Sequence, residues 1–591
     1  MVAAEKLGDR IGIASTWAEK DMVKQIPGAM WNKEDAIWTV PLSWSACKQM
    51  RGIFGSSLQL GEELKTWAKQ ELAFRINKAN ALRNRTTSLS ADLSIYQPGG
   101  TFGSLYGFQQ AGLDFMRHAG SVLLTDEMGT GKTIQALSTL RAVVGPHGQN
   151  LVICPNSMKG TWAREAKKWY PQATPYVVAG SAAVRRKIFE AAAQDPNALV
   201  IINFESVRLH SRTAGFGSIA LARCAECGGD EDSKLTAAKC EVHPKELNKI
   251  PFQVVVVDEA HRIKDGQAKQ TRAIWAVGHE PHVQRRIAMT GTPVANNASD
   301  LWAIMHFVNP VEYPTKSKFV DRYCATYFNK WGALEVGGLN PATKEELFSF
   351  LHPRMRRMEK KDVLTQLPEK VFATRYVEMS PKQAKSYEQM AEGNVTKLED
   401  GTYMVAGSNL AANTRLLQFS SAYMEGTEDG GYKMCEPCPK LDVMEEVLAE
   451  LGEKPLVVAA VHKQLIDLAE TRLVKAGIPF GKITGDVPQW QRDLYVKQFQ
   501  AGELRVMLLT MQAGGVGITL TAADTMLRLQ CSWSMVDNTQ VVDRIHRIGS
   551  EIHQQVNIID VVTIDTIEGD QVMKVQKKHM ILKEVVSAEV N

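Results

Sequence analysis

The stretch Thr125-Asp-Glu-Met-Gly-Thr-Gly-Lys-Thr133 closes an apolar run and opens into the helix-like segment TIQALSTL. Backbone N–H groups turned by Gly129 and Gly131 would face phosphate oxygens, Lys132 would reach the β and γ phosphates, and the Thr133 hydroxyl would ligate Mg²⁺. The loop, with Glu127, Met128 and Thr130 in its turn, departs from the usual pattern at its first glycine, which is Asp126 here. A Gly-x-Gly before a helix is also an ordinary tight turn, so a second group must decide. The apolar run Val254 to Val257 delivers Asp258 and Glu259 side by side. One carboxylate can hold the metal while the other orients and deprotonates an attacking water. Alone, two such acids could equally cap the next helix; beside a phosphate loop they read as a catalytic pair. Upstream, the Gln109 amide both donates and accepts, as reading an adenine edge requires, with a surface glutamine as the alternative. Far downstream, Gln540-Val-Val-Asp-Arg-Ile-His-Arg-Ile-Gly549 sets Arg544 and Arg547 three apart, which predicts one helical face. Two guanidinium groups there suit the charge on a transferring γ-phosphate, or they form a solvated basic face.

These groups need strands to hold them. Apolar runs at 121–125, 150–155, 198–204, 252–260 and 285–293 alternate with helical stretches, which predicts a parallel sheet with helices on both faces. Ligands in such sheets sit beyond the carboxyl ends of the strands, where each of these runs ends in a polar motif. A second series begins near Lys454, with PLVVAAV, FGKITGD, LRVMLLT, TMLRLQ and VNIIDVV, and has no phosphate loop of its own. At 591 residues the chain exceeds one core and implies three or four units at about 150 residues each. Lys and Arg total 69 against 65 Asp and Glu, and a balance of +4 neither demands nor excludes a polyanion, so nucleic acid must be argued locally. No apolar run reaches the roughly 18 residues of a membrane helix and no signal-peptide core follows the N-terminus, so a soluble intracellular protein is expected. Its place would be the cytoplasm in a bacterial or virus-infected cell, or the nucleus in a eukaryote.

In order along the chain, DEMGTGKT, CPNSMKGTWAREAKKW, NFES, VVVDEAHRIKD, MTGTPVANN, LLTMQAGGVGITLTAAD and DRIHRIG resemble the successive motifs of the Swi/Snf-type branch of superfamily 2 helicases, over roughly residues 100 to 590. The resemblance implies an α/β fold of two RecA-like parallel-sheet lobes, of the P-loop NTPase class, with ATP in the cleft between them. It implies that Gln109 reads adenine, that Lys132 and Thr133 bind phosphate and Mg²⁺, and that Asp258 and Glu259 serve metal and water. Arg544 and Arg547 would complete the site from the opposite lobe. Asp126 is then regular, since this branch normally carries aspartate there. Thr290, Gly291 and Thr292, with Gly517 and Gln540, would relay the phosphate state. DNA contacts implied by analogy are Ser157, Lys159 and Thr161 in the first lobe and Gly514, Gly515 and Thr519 in the second. Such enzymes hydrolyse ATP to walk along duplex DNA, generally without parting its strands. Hydroxyls and backbone N–H groups fix register without reading bases, so binding should ignore sequence.

The flanks suggest the kind of translocase. The wording FVDRYCATYFNKWG through RMRRMEKKDVLTQLPEK is similar to the subgroup containing the HepA-related (HARP) annealing helicases; Arg354, Arg356, Arg357, Lys360 and Lys361 could also be a nuclear address. Trp17, Trp31, Trp38 and Trp44, with a hairpin turning at Lys33 to Asp35, are weakly similar to the HARP module that engages branched DNA. Four tryptophans in one small domain serve either as core or as base-stacking platforms. The following helix-like piece places Lys65, Lys69, Arg75, Lys78, Arg83 and Arg85 as a solvated linker or a DNA-backbone contact. Between the third and fourth runs, Cys224-x-x-Cys227 and, after twelve intervening residues, Cys240-x-x-His243 have the spacing of a tetrahedral, structural Zn²⁺ site. Cys435 and Cys438 are half of such a site or two thiols in a loop.

The organisation expected is a small α+β N-terminal domain at 1–62, a basic helical linker at 63–100, and lobe 1 at 101–312 with the zinc knuckle at 222–246. A helical insertion at 313–438 and lobe 2 at 439–591 would follow. The function expected is an ATP-dependent, monomeric translocase on double-stranded or branched DNA that reanneals or remodels forks. Displacement of bound protein and true strand separation remain alternatives.

Overall fold

The computed structural model describes residues 2–87, 105–144, 147–213, 221–228, 235–237, 239–329, 332–428, 430–514 and 517–586. They form two compact units, Met1–Val363 with Ile581–Asn591, and Leu364–Met580.

In the first unit, β1 (Val2–Leu7), β2 (Arg10–Ala14), β3 (Met30–Asn32), β4 (Ile37–Pro41) and β5 (Leu58–Leu60) make a sheet in the order β3-β4-β2-β1-β5. Alternation puts Val2, Ala4, Ile11, Ile13 and Val40 on one face, where Met50 and Phe54 of the helix Trp44–Phe54 cover them. The β3–β4 turn falls at 33–36, held by the Asn32 side chain accepting from Glu34 N at 2.9 Å. Trp38 packs against this core, but Trp17 and Trp31 stay outside it. Trp17 is 83% and Trp31 48% exposed, and Trp31 meets Trp38 edge-on at 5.5 Å. The domain is fastened to the rest of its unit. Both oxygens of Glu312 accept backbone N–H groups at the helix N-terminus, Trp44 and Ser45, each at 2.8 Å. Gln49 donates to the Tyr323 hydroxyl at 3.0 Å, and Tyr323 to Glu346 at 2.6 Å.

The main sheet of this unit is built from β6 (Val122–Leu124), β7 (Asn150–Cys154), β8 (Thr174–Val177), β9 (Ala198–Asn203), β10 (Val254–Asp258) and β11 (Arg285–Met289). After the antiparallel hairpin β12 (Cys324–Phe328) and β13 (Leu334–Leu339), the two-residue β14 (Met355–Arg356) joins beside β6. The order is β14-β6-β11-β10-β7-β9-β8, and every pairing is parallel. Such a sheet hides both faces, which is why VVVV at 254–257 shows no alternation and is buried throughout.

The second unit has β15 (Glu369–Val377), the hairpins β16 (Val395–Lys397) with β17 (Tyr403–Val405) and β18 (Tyr423–Gly426) with β19 (Tyr432–Cys435), then β20 (Leu456–Ala460), β21 (Phe480–Ile483), β22 (Val506–Thr510), β23 (Thr525–Arg528) and β24 (Gln555–Thr563). Its sheet, β15-β24-β23-β20-β22-β21, is again wholly parallel. Period-two alternation divides β20 between two cores: Leu456, Val458 and Ala460 join one cluster, Val457 and Ala459 the other. Each such side chain, fully buried, contributes about 1.5–3 kcal/mol if of valine or leucine size.

The α/β expectation of two parallel-sheet lobes holds. The segment 313–438, expected as a helical insertion, instead belongs to both units: β14 completes the first sheet, β15 the second, and the division falls after Val363. Of the expected basic linker, Arg83 does not face solvent; it is buried and its Nε donates to Met355 O at 3.0 Å. Among the described residues no helix is long and apolar enough to cross a membrane.

Candidate active site

The phosphate loop lies between β6 and the helix Lys132–Val144. Gly129 (φ 81°) and Gly131 (φ 80°) take the left-handed conformation that closes the turn, and a Cβ on Gly131 would lie 2.5 Å from Gln109 Nε2. Lys132 Nζ donates to the carbonyls of Asp126 (2.8 Å) and Glu127 (3.1 Å). Burial pushes this ammonium's pKa down, and the carboxylates of Glu259, Asp126 and Asp258 oppose the shift. Gln109 is not a surface residue. It is 1% exposed, accepts from Tyr106 N and donates to Thr130 O, both at 3.0 Å, so it braces the loop from the preceding helix.

Asp126 is fully buried, and its Oδ2 lies 2.8 Å from Arg356 Nη1 and accepts from Gln135 Nε2 at 3.2 Å. Arg356 also donates to the carbonyls of Phe108 and Arg85, each at 3.0 Å. Around this pair the segment of β14 continues along the loop: Thr125 N donates to Arg356 O (2.7 Å), Glu127 N to Met358 O (2.9 Å), and Lys360 N to Glu127 Oε2 (2.8 Å). Arg357 reaches the carbonyls of Thr125 and Gly291, both at 2.7 Å. The basic phrase that resembled a nuclear address is therefore masonry for the phosphate loop; Arg356 and Lys360 are buried.

Asp258 ends β10 and Glu259 follows it at φ 54°, ψ 51°, a left-handed conformation that costs a non-glycine residue about 1 kcal/mol or more and is the kind of strain that gathers at functional sites. Asp258 Oδ1 accepts from Glu259 N at 3.0 Å and Oδ2 from the indole Nε1 of Trp162 at 2.9 Å. Burial raises the Asp258 pKa, and the neighbouring Glu259 charge adds to it. His261, not singled out from the sequence although it stands two residues past Glu259, has Nδ1 3.3 Å from Glu259 Oε2 and 3.1 Å from Thr290 Oγ1. Thr290 Oγ1 also accepts from Thr292 N at 3.1 Å. Thr290 thus reaches Glu259 through His261, and Gly291 reaches the phosphate loop through Arg357. The loop's donors, Lys132 with Thr133 at the helix start, and the acid pair form a set whose chemistry suits a nucleoside triphosphate with Mg²⁺.

Of the implied DNA contacts in this unit, Ser157 is exposed and Thr161 half-buried. Lys159 is not available: it is buried and its Nζ donates to Val178 O at 2.9 Å. In the second unit Gly514 is buried with a Cβ position 2.6 Å from Leu509, so close packing is what requires glycine there. Thr519 is half-buried, and Gly515 lies outside the described residues. Arg544 and Arg547 do not share a helical face, because the helix Met535–Val542 stops before them. The turn that follows still converges them: Arg547 Nη1 (3.1 Å) and Arg544 Nη1 (3.4 Å) both donate to Ile518 O, beside Gly517, and Arg544 Nε donates to Gln540 O at 3.1 Å.

The Sγ atoms of Cys224, Cys227 and Cys240 lie within 4.8 Å of one another. His243 Nδ1 is 3.5 Å from Cys227 Sγ and 3.9 Å from Cys224 Sγ. Cys240 Sγ accepts from the backbone N–H groups of Cys224 and His243, each at 3.3 Å. Cys435 and Cys438 instead donate to the carbonyls of Tyr423 and Ser421. Among the described residues they join no such group.

Residues 108–422, more than half of the chain, match the SNF2-related domain, and residues 439–549 match the helicase conserved C-terminal domain. The chain is 27% identical to Protein CHROMATIN REMODELING 5 of Arabidopsis thaliana, over 83% of this chain and 27% of that protein. It is 28% identical to Chromodomain-helicase-DNA-binding protein 7 of Homo sapiens, over 77% and 15% respectively. It thus spans well under half the length of these relatives. Among solved structures, the Sulfolobus solfataricus SWI2/SNF2 ATPase core in complex with dsDNA matches at 22% identity and a TM-score of 0.37, covering 84% of this chain and all of that one.

Proposed function

Because the chain belongs to the SNF2-related family, we propose that it is a DNA-dependent ATPase that translocates on duplex DNA and remodels or reanneals branched DNA without reading sequence. The observation that carries the motor half is the gathering of Lys132, Asp258 and Glu259 around one loop, with His261 joining the acids to Thr290. Lys132 would exchange its two loop carbonyls for phosphate oxygens, and Thr133 and Asp258 would hold Mg²⁺, which supplies charge neutralisation for the transferring phosphoryl group. Glu259 would orient the attacking water and take its proton. Gln109 would meet the adenine with the N–H left over from its bond to Thr130. Arg544 and Arg547 would serve the same phosphoryl group from the second unit. Ser157, Thr161 and Thr519 would hold DNA phosphates through hydroxyls.

The branched-DNA half rests on the N-terminal domain, where Trp17 and Trp31 stand exposed, with Lys20 Nζ 4.3 Å from the Trp17 ring centre. Their exposure supports a stacking platform for unpaired bases, the role a HARP-like module would have. Stacking on an aromatic residue is worth about 1–3 kcal/mol per base. Trp17→Ala with Trp31→Ala should therefore lose about tenfold or more of the preference for forked over unbranched DNA in stimulated ATP hydrolysis, with stimulation by unbranched duplex retained. Equal stimulation by both DNAs in the unsubstituted protein sinks the fork reading. The names of the relatives, chromatin remodellers, favour a second reading, the same motor displacing bound protein.

We read Cys224, Cys227, Cys240 and His243 as a structural Zn²⁺ site, since three thiols gather within 4.8 Å of one another, the His243 ring nitrogen lies 3.5 Å from Cys227 Sγ, and backbone N–H groups polarise Cys240. Elemental analysis should find one zinc per chain, and Cys240→Ser should release it and lower the melting temperature of the first unit with little change in ATP affinity. Protein free of zinc that melts identically with and without chelator would discard the site.

A further inference from the structure

The segment Asn156–Trp169 has two ends of different character. Ser157 is exposed, and Thr161, whose Oγ1 accepts from Arg164 Nη2 at 3.1 Å, is half-buried at the surface. The next residue, Trp162, is fully buried, and its Nε1–H donates to Asp258 Oδ2 at 2.9 Å. The topology makes this adjacency unavoidable. β7, which leads into the segment, pairs with β10 up to Ile153 opposite Val257, so the turn at 156–158 and Asp258 leave neighbouring strand ends. The indole belongs to the same buried apolar cluster as Val152, Cys154, Ile201 and Val256, the core of the lobe. A ring so confined cannot swing independently; when its helix shifts, its N–H shifts with it.

We infer that Trp162 is a positioning residue that couples the DNA grip of its helix to the carboxylate of Asp258. The inference rests on the proposed reading of Ser157 and Thr161 as DNA contacts. Asp258 has its Oδ1 tied to Glu259 N and its Oδ2 tied to Trp162, so the indole sets the rotation of the carboxylate. A hydrogen bond to an ionised group is worth about tenfold or more in an equilibrium constant. DNA that moves the helix changes how well that carboxylate is presented, and by linkage a nucleotide that draws on the carboxylate changes DNA affinity by the same factor.

The test is Trp162→Phe, which keeps an aromatic ring and removes only the donor and one ring's bulk. Two affinities are measured on the full chain: Mg·ADP with and without duplex DNA, and duplex DNA with and without Mg·ADP. In the unsubstituted protein the two ratios should agree and differ from one. In Trp162→Phe both should move about tenfold toward one, whatever loss of stability the smaller ring itself brings. A purely structural role would lower stability and basal binding together and leave the ratios alone, which overturns the inference. Should the phenylalanine variant not fold, 3-benzothienylalanine placed at 162 supplies the same shape without the N–H, and unchanged ratios there overturn it equally. Absence of any DNA binding by the unsubstituted protein would instead remove the translocase reading on which the inference stands.

Discussion

Turnover of ATP by Arg547→Ala should fall by on the order of 10³ while nucleotide affinity stays within a few-fold of the unsubstituted protein. The expectation follows from what the guanidinium does in its own unit. Arg547 Nη1 and Arg544 Nη1 share the Ile518 carbonyl, so two cations are held side by side by one acceptor and by burial, which pushes the Arg547 pKa below its ordinary value. The neighbouring Asp543 carboxylate opposes that shift at Arg547, and a transferring phosphoryl group presents the anionic oxygens that planar guanidinium donors match. An interaction made only as that charge develops lowers kcat when lost and spares binding. Arg547→Lys should recover little, since an ammonium cannot keep the bond to Ile518 and present a fork at once. Steady-state ATPase rates with saturating duplex DNA, beside equilibrium binding of a non-hydrolysed ATP analogue, decide the matter. Lost binding with unchanged residual chemistry would place Arg547 in the ground-state pocket, and an unchanged kcat would remove it from the mechanism.

Much of this was legible from residues alone, for a physical reason. Strands buried on both faces must be continuous apolar runs, so β10 could be read from VVVVDEA, and a phosphate loop and an acid pair at two carboxyl ends of one parallel sheet leave little freedom in what they face. What escaped reading lacks such a signature. β14 is two residues long and one of them is arginine, so no hydrophobic pattern could announce it, yet it supplies the partner of Asp126. β15, at the sheet edge with mostly exposed residues, carries no buried stripe. Lys159 and Arg83 looked like surface cations because composition cannot tell which long side chain finds a carbonyl to bury against. Arg544 and Arg547 were paired by helical spacing although the chain has already left the helix; their partnership survives through Ile518, a long-range acceptor that spacing does not encode. Trp17 and Trp31 went the opposite way, since a large apolar ring is by default assigned to a core that alternating Val, Ala and Ile already fill.

Arg356→Met should destabilise the first unit by about 3–5 kcal/mol, the cost of leaving a buried carboxylate without its cation. Neither member of the pair touches solvent, and Asp126 Oδ1 has no hydrogen-bond partner among the described residues, so the hydrogen bonds that Arg356 and Gln135 make to Oδ2 carry most of the compensation. Asp126→Gly, which restores the usual glycine of a phosphate loop, should be nearly as harmful for the converse reason: it strands the guanidinium. The double substitution Asp126→Gly with Arg356→Met removes both charges and should recover most of the loss, giving a coupling energy of several kcal/mol in a double-mutant cycle. Denaturant unfolding followed by the tryptophans of the first unit measures the stability arm. ATP affinity provides a second arm with a different expectation. Arg356 ties three separate carbonyls or carboxylates, those of Asp126, Phe108 and Arg85, and its own carbonyl receives Thr125 N. The double variant should therefore regain stability faster than nucleotide affinity, because hydrophobic packing replaces the charge balance but not the positioning of the loop. Equal recovery of both would reduce Arg356 to a neutralising counter-ion. Recovery of neither would mean that the loop's geometry, and not the pairing of charges, is what the arginine maintains.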